Sequence, residues 1–305
     1  MHPELRQLRH FVAVAEELHF GRAAQRLHMT QPPLSQSIAN LEDLLGAPLF
    51  LRNRRMVGLT AAGSALLPEA RRILDEAGAL PELVRRAASG EAGRLALSFV
   101  STAGLGMLPD VLRRYRAAFP GVRLVLHEAT SDVQFDDLLS GRIDAGFVIP
   151  LQPGAPAGMA DPALDYRKLL DEPLVLCAPS GLAALATPGP VWLRDLPPLP
   201  LVIFPRTVAP SLHDAILACY RAAGVVPTIG QEAIQMQTIV SLVSGGMGLA
   251  LVPQSVSNLM RPGVEYRPLR DATPHVETGL AWRRDNDSPV LRGFLDLLRT
   301  TARTA

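Results

Sequence analysis

Polar side chains open a predicted helix near the amino terminus, directly after a shorter helix and a tight turn. The two helices span residues 20–38, and Gln31, Pro32, Ser35 and Gln36 occupy the first turns of the second one. In helix–turn–helix geometry, those first turns enter the major groove of DNA. Amide and hydroxyl groups there can bond base edges or phosphates. The pattern therefore predicts a DNA-reading helix, and the alternative is a polar face that is only solvated.

A short hairpin pattern follows this helix and carries a cationic tip. The apolar runs 48–51 and 56–59 flank the sequence Arg52-Asn53-Arg54-Arg55. Arginine side chains at a hairpin tip are suited to phosphates or to the minor groove. The formal net charge of the whole chain is only +1, so any basic signal must be local. Arg52 and Arg54 are therefore predicted DNA contacts.

Hydroxyl side chains follow predicted strands in the carboxyl-terminal part, where helices begin. Ser101 and Thr102 follow the first of these strands, and Thr130 follows the second. Loops after parallel strands converge on one crevice, and helix amino termini favour anions. The three residues are therefore predicted to contact a small-molecule effector. The alternative is that these hydroxyls only cap helices.

The segment Phe204-Pro205-Arg206 follows a strand further along the chain. It could supply an aromatic wall and a cation to the same crevice, and all three residues are predicted effector contacts. Together with the hydroxyls, it predicts a small anionic effector, most simply a carboxylate.

Motifs for catalysis, cofactors and metals are weak. The glycines at 104–106 lack the third glycine of a dinucleotide loop, and those at 245–248 lack its spacing. The 7 histidines are scattered without the spacing of metal ligands. We expect neither an enzyme nor a bound cofactor or metal. A solute-binding protein or small-molecule enzyme built on the carboxyl-terminal region remains the alternative.

Composition favours a folded protein of two or three domains. The chain has 305 residues, of which 48% are hydrophobic and 19% charged, so it can bury a substantial core. Its two cysteines, Cys177 and Cys219, are far apart, which excludes a disulfide framework. No signal-peptide pattern and no continuous apolar run of spanning length is visible. We therefore expect a cytoplasmic protein without a membrane segment.

Hydrophobic periodicity divides the chain near residue 90. Residues 1–90 are predicted to be almost entirely helical, and Thr60 can cap a long helix that ends near Ser89. Apolar residues form a heptad seam along this helix: Leu66, Ala70, Ile73, Ala77, Leu80, Val84 and Ala87. A heptad seam indicates pairing with another helix.

Residues 94–305 alternate between strands and helices, which predicts βαβ units and a parallel sheet covered on both faces. The pattern restarts after a segment rich in proline and glycine, 150–162. We expect two lobes joined by crossing strands near 165–168 and 265–269, with a ligand cleft between them.

The stretch 11–63, FVAVAEELHFGRAAQRLHMTQPPLSQSIANLEDLLGAPLFLRNRRMVGLTAAG, resembles the LysR-type transcriptional regulators nearly throughout. The resemblance continues over the full length. It covers LALSFVSTAGLGMLPDVL at 95–112, LVIFPRTVAPSLHDAI at 201–216 and QEAIQMQTIVSLVSGGMGLALVP at 231–253.

The resemblance implies a multidomain α/β protein with a winged helix–turn–helix, a dimerising linker helix and a two-lobed effector domain similar to periplasmic binding proteins. The corresponding ranges are 1–59, 60–91 and 92–305, with one lobe at about 92–165 plus 268–305 and the other at about 166–267. Such a protein would bind double-stranded promoter DNA as a homotetramer, a dimer of dimers. It would alter RNA polymerase activity when a co-inducer occupies the cleft.

Two residues depart from the family pattern. Gly21 stands where a threonine or serine cap is commoner, which predicts a weaker helix start because glycine has no side-chain acceptor. Gln36 stands where arginine is frequent in the family.

Overall fold

The computed structural model describes residues 2–53, 56–150 and 161–301. The chain divides into two compact units, Met1–Arg86 and Ala87–Ala305.

The first unit is helical apart from one hairpin. Its elements are α1 (Leu5–Glu17), α2 (Phe20–Arg26), α3 (Gln31–Leu45), β1 (Phe50–Asn53), β2 (Met56–Leu59) and α4 (Ala61–Ala88), whose last residues lie beyond the boundary. Phe11, Leu34 and Ile38 are fully buried where α1 and α3 pack together. The strands β1 and β2 pair antiparallel, with Phe50 opposite Leu59. This arrangement is a helix–turn–helix followed by a wing.

The ends of the short helices are fixed by local bonds. The backbone N–H groups of Gly21 and Arg22 donate to His19 Nδ1 at 3.0 and 3.2 Å, so His19 caps α2. The weakness predicted from Gly21 is thereby offset, because the acceptor comes from two residues earlier. Thr60 Oγ1 accepts from the N–H of Gly63 at 3.0 Å and caps α4 as predicted.

The predicted seam on α4 has two different halves. Leu66, Ala70 and Ile73 pack against the core of their own unit. Further along, Leu80 and Val84 are 55% and 66% exposed. A seam devoted wholly to a partner helix is therefore wrong for its first half. Ala70 is fully buried there, and Leu66 and Ile73 are half-buried.

The second unit contains nine strands and six helices among its described residues. Its strands are β3 (Ala92–Phe99), β4 (Gly121–Glu128), β5 (Ala145–Val148), β6 (Leu164–Pro179), β7 (Leu201–Ile203), β8 (Ile229–Glu232), β9 (Ala250–Pro253), β10 (Val264–Pro268) and β11 (His275–Arg283). Its helices are α5 (Ser101–Leu105), α6 (Leu108–Ala118), α7 (Ser131–Leu139), α8 (Pro210–Ala222), α9 (Met236–Ser244) and α10 (Pro289–Thr301).

The main sheet is mixed rather than parallel. The strands β4, β3 and β5 are parallel neighbours. The strand β11 lies antiparallel to β5 and to β6. The prediction of a parallel sheet therefore holds for the βαβ units only. The last strand runs the opposite way because the chain re-enters the sheet from the second lobe.

The long strand β6 joins two lobes with separate cores. Its first part pairs with β11, and its residues from Leu174 onward pair with β9 and β10. The first lobe therefore holds β3–β5, β11 and the start of β6, and the second holds β7–β10 and the end of β6. Residues 264–268 pair with the end of β6 inside the second lobe, so the return crossing lies after them, not at 265–269.

Candidate functional site

The first turns of α3 present polar groups above a buried apolar face. Gln31, Pro32 and Gln36 are exposed and Ser35 is half-buried, whereas Leu34 beneath them is fully buried. A helix with this division packs one side and leaves the other side free for a partner. The four predicted groove residues thus lie together on one accessible surface.

Gln36 forms one side-chain hydrogen bond within α3. Its Nε2 donates to Asn40 Oδ1 at 2.8 Å, one helical turn further on. The amide keeps a second N–H and its carbonyl oxygen for another partner. The pair Gln36–Asn40 therefore presents a joined polar surface where arginine is frequent in the family.

A half-buried contact and an exposed ion-pair network hold α3 and α2 in place. His10 Nδ1 lies 2.8 Å from Ser37 Oγ and ties α1 to α3, and burial lowers the pKa of His10. Glu16 accepts from Arg26 and from Arg71, each at 2.7 Å, and so joins α1 to α2 and α4. The bond from Arg71 is the main reason that the pKa of Glu16 is lowered.

The wing is anchored to α3 by a carboxylate. Glu42 Oε1 accepts from the backbone N–H groups of Leu49 at 2.7 Å and Phe50 at 3.2 Å. The start of β1 is thereby fixed relative to the reading helix. Arg52 lies in β1, but its side chain and the whole of Arg54 are outside the described residues.

A cavity lies between the two lobes of the second unit. It encloses about 50 Å³, and its lining residues are Val100–Thr102, Ala129–Ser131, Ile149, Phe204, Val208–Leu212 and Ile234–Met236. None of these lining residues is charged. The cavity volume suits a ligand of few heavy atoms, since a single water needs about 10–15 Å³ on this measure.

Four of the six predicted effector residues line this cavity, namely Ser101, Thr102, Thr130 and Phe204. Pro205 and Arg206 do not. Arg206 donates from Nε and Nη2 to the two carboxylate oxygens of Asp214, each at 2.9 Å. This pairing lowers the pKa of Asp214 to about 2. The cation expected in the crevice is thus engaged on the surface of α8.

The predicted hydroxyls are not helix caps. Val100 is the residue before α5, and Thr130 precedes α7 without a side-chain capping bond. Thr102 is 2% exposed, and its Oγ1 has no hydrogen-bond partner. A buried hydroxyl without a partner costs stability unless a ligand supplies the bond. Capping alone therefore does not explain these residues.

More helices begin at the cavity than the sequence predicted. Besides α5 and α7, both α8 and α9 start there, at Pro210 and Met236. None of the four has a side-chain capping bond at its first position. Ser211 and Gln235 were also missed. Their only local signal was a position at the start of a predicted helix.

Comparison with known families agrees with this architecture. Residues 5–64 match the family described as bacterial regulatory helix-turn-helix protein, lysR family. Residues 88–303 match the LysR substrate binding domain. The chain belongs to the LysR family of transcriptional regulators. It is thus a DNA-binding regulator with an effector domain, as the sequence predicted, and the alternative of an enzyme or a solute-binding protein is not supported.

Full-length relatives share the whole arrangement. The chain is 52% identical to the transcriptional regulator IlvR of Caulobacter vibrioides, over 97% of each chain. It is 38% identical to AlsR of Bacillus subtilis, over 96% of this chain and 95% of AlsR. Each match spans the DNA-binding and effector regions together.

Solved structures give the same result. Full-length CbnR in complex with its target DNA has a TM-score of 0.78 and 30% identity, covering 98% of this chain and 99% of CbnR. The BenM effector-binding domain with its effector benzoate has a TM-score of 0.57 and 25% identity, covering 69% of this chain and 92% of that one. In the described part of our chain, we find no helix with the length and apolar character needed to cross a membrane.

Proposed function

We propose that this regulator binds double-stranded promoter DNA through α3 and the wing. Gln31, Pro32, Ser35 and Gln36 contact the groove, because they form the polar surface that α3 leaves free. Arg52 and Arg54 neutralise phosphates beside it. The anchoring of the wing by Glu42 supports this arrangement, since it sets the distance between the groove contacts and the phosphate contacts.

The effector is a small carboxylate held between the lobes. The observation that carries this proposal is the convergence of the uncapped starts of α7, α8 and α9 and the unpartnered Thr102 hydroxyl on one cavity whose described lining contains no charged residue. Free N–H groups and helix dipoles favour negative charge at such a place without any cation. Benzoate, the effector of BenM, is itself a carboxylate.

The conformational response to the effector arises because groups on both lobes contact the same ligand. A ligand shifts the protein only if it binds one arrangement of the lobes better than another. Ser101 of the first lobe and Gln235 of the second already touch across the cavity, at 2.8 Å. The resulting shift alters the spacing of paired DNA-binding units in a homotetramer, and with it DNA bending and RNA polymerase access, in the cytoplasm.

Thermal unfolding with benzoate, butyrate and their primary amides tests the ligand class. A carboxylate at 100 times its Kd should stabilise by about 2.7 kcal/mol, and the uncharged amides should not. Thr102→Val removes the unpartnered hydroxyl and should weaken carboxylate binding about tenfold, the loss of one hydrogen bond to a charged group. Thr187→Val, at an exposed position outside the cavity lining, is the matched control.

Gel shifts of the same variants complete the test. Basal DNA binding should be unchanged in Thr102→Val, because the first unit is untouched. Equal stabilisation of wild type and Thr102→Val by every acid that binds would place the effector elsewhere.

A further inference from the structure

Three oxygen atoms meet at one corner of the cavity between the lobes. Ser101 Oγ lies 2.7 Å from Glu128 Oε1 and 2.8 Å from Gln235 Oε1. A hydroxyl carries one proton, so Ser101 can donate to only one of these two acceptors at a time. In this arrangement, the cluster Ser101–Glu128–Gln235, the single proton of Ser101 is shared between the two facing oxygens of Glu128 and Gln235.

Glu128 brings the one formal charge to this corner. It ends β4 and its side chain is exposed beside the cavity, whereas Ser101 and Gln235 belong to the lining. Among the residues that the structure describes, no arginine, lysine or histidine forms an ion pair with Glu128. A carboxylate in this position attracts a cation from solution.

The ligand chemistry that fits three converging oxygens is a primary ammonium group. It carries three N–H donors and a positive charge, one donor for each oxygen of the cluster. The hydrogen bond to Glu128 would be charge-assisted from both sides. A neutral alcohol or a plain carboxylate offers fewer donors and does not compensate the charge of Glu128.

The ligand also needs a negatively charged group next to its ammonium group. Thr102, whose buried hydroxyl lacks a partner, is the next residue in the chain, about 3.8 Å away between Cα atoms. The longer helices α7, α8 and α9 start at the same cavity and favour an anion there. The remaining walls are largely apolar, and Val208, Leu212 and Ile234 are among them.

We propose that the effector is a small α-amino acid with an apolar side chain, whose ammonium group binds the Ser101–Glu128–Gln235 cluster. This inference rests on the proposed carboxylate site and assigns Glu128 as its specificity-determining residue. A carboxylic acid without the amino group would be repelled by the negative charge of Glu128. It would also provide no N–H donors for the three oxygens of the cluster. The protein should therefore distinguish an amino acid from its deaminated counterpart.

Calorimetric titration of matched pairs into the full-length protein tests the inference. The probes are L-valine against 3-methylbutanoate, and L-2-aminobutyrate against butyrate, at neutral pH. In wild type, each amino acid should bind at least about tenfold tighter than its partner acid, as expected for a charge-assisted bond. Glu128→Gln should remove most of this preference, by weakening the amino acid and sparing the acid.

Glu91→Gln provides the control for loss of one negative charge. Glu91 is exposed and precedes β3, whereas Ser101 follows the far end of that strand, about 25 Å away. Its variant should keep the wild-type preference. Gel shift without effector should show equal DNA binding for wild type and both variants.

The outcomes separate this inference from the proposed function. Equal affinities for amino acid and acid in wild type, or an unchanged preference in Glu128→Gln, would overturn the amino-acid assignment and leave the carboxylate site standing. Failure of both amino acids to bind would overturn it too. The carboxylate site itself falls if benzoate and the simple acids also fail to bind, or if Thr102→Val leaves their binding unchanged.

Discussion

In the proposed function, the two units bind their anionic partners with different kinds of groups. The DNA-binding unit presents exposed polar groups on α3. Under the proposed function, the arginines of its wing sequence bind phosphates in water. The described lining of the cavity in the effector unit contains no charged residue. Under the proposed function, this cavity binds its anion with helix starts and the buried Thr102 hydroxyl. Charge steers a large, solvated partner, whereas fixed dipoles select a small ligand that loses its water.

The two units also differ in how far they depend on assembly of two chains. The exposed part of α4 around Leu80 and Val84 is an apolar surface without a described partner, and a second helix would cover it. DNA affinity then depends on two linked units, because each reads one half-site. Under the proposed function, effector affinity depends on residues of one chain only.

The largest expected effect tests that difference. Val84→Asp places a carboxylate on the exposed half of the seam and should abolish the dimer. DNA affinity should fall about 100-fold or more through loss of linked binding, while effector affinity stays the same. Light scattering, gel shift and calorimetry measure the three properties. Ala79→Asp, exposed and off the seam, is the control. An intact dimer in Val84→Asp would show that this surface is not the contact.

The next effect concerns sequence reading by α3. Gln31→Ala and Ser35→Ala should each weaken specific DNA binding by about 1–3 kcal/mol if they make good base contacts. Binding to unrelated DNA should change little. Gln25→Ala, an exposed glutamine in α2, serves as the matched control. Loss of affinity for all sequences alike would make these residues phosphate contacts instead.

A smaller effect is expected from the wing. Arg52→Ala should weaken binding to every sequence and flatten the dependence of log K on log salt by about 0.9, the share of one phosphate. Titrations at several salt concentrations measure the slope. A specific loss at one base pair, with the slope unchanged, would contradict the role of a phosphate contact.

The smallest effects come from two carboxylates with opposite pKa shifts. The pKa of Glu16 is lowered below 4.5, so its bonds to Arg71 and Arg26 stabilise the fold at neutral pH and are lost as the pH falls through the folded pKa. Burial raises the pKa of Glu172 above 4.5. Its protonated form is favoured in the fold, so this contribution is present at low pH and lost as the pH rises.

Substitution by glutamine should therefore act in opposite directions at pH 7. Glu16→Gln should destabilise by about 1 kcal/mol, since it removes the charge of a partly exposed network. Glu172→Gln should be neutral or stabilise by up to about 1 kcal/mol, because an amide oxygen still accepts from Ser255 without burying a charge. Unfolding midpoints at pH 5 and pH 7 give the sign. Shifts in the same direction for both variants would refute the assignment.

Local sequence predicted the DNA-binding unit closely. Prolines in the first turn of α3 and Gly46 at its end, where φ is 70°, are signals that reach only a few residues. The cap by His19 was missed because imidazole is not a usual capping group, although it is adjacent in the chain. Periodicity also located α4, but it could not tell which half of the seam the first unit would cover.

The cavity depended on tertiary structure. Ser101 and Gln235 are 134 residues apart and touch only because β6 carries the chain from one lobe to the other. No sequence motif pointed to Glu128. Arg206 had the positive charge expected for an anion site, but it pairs with Asp214, eight residues later. Local patterns along the chain were enough to predict the helix ends and the family. Packing between segments that are far apart in the chain decided which side chains share a cavity. Local sequence patterns extend over a few residues and carry no information about such long-range contacts.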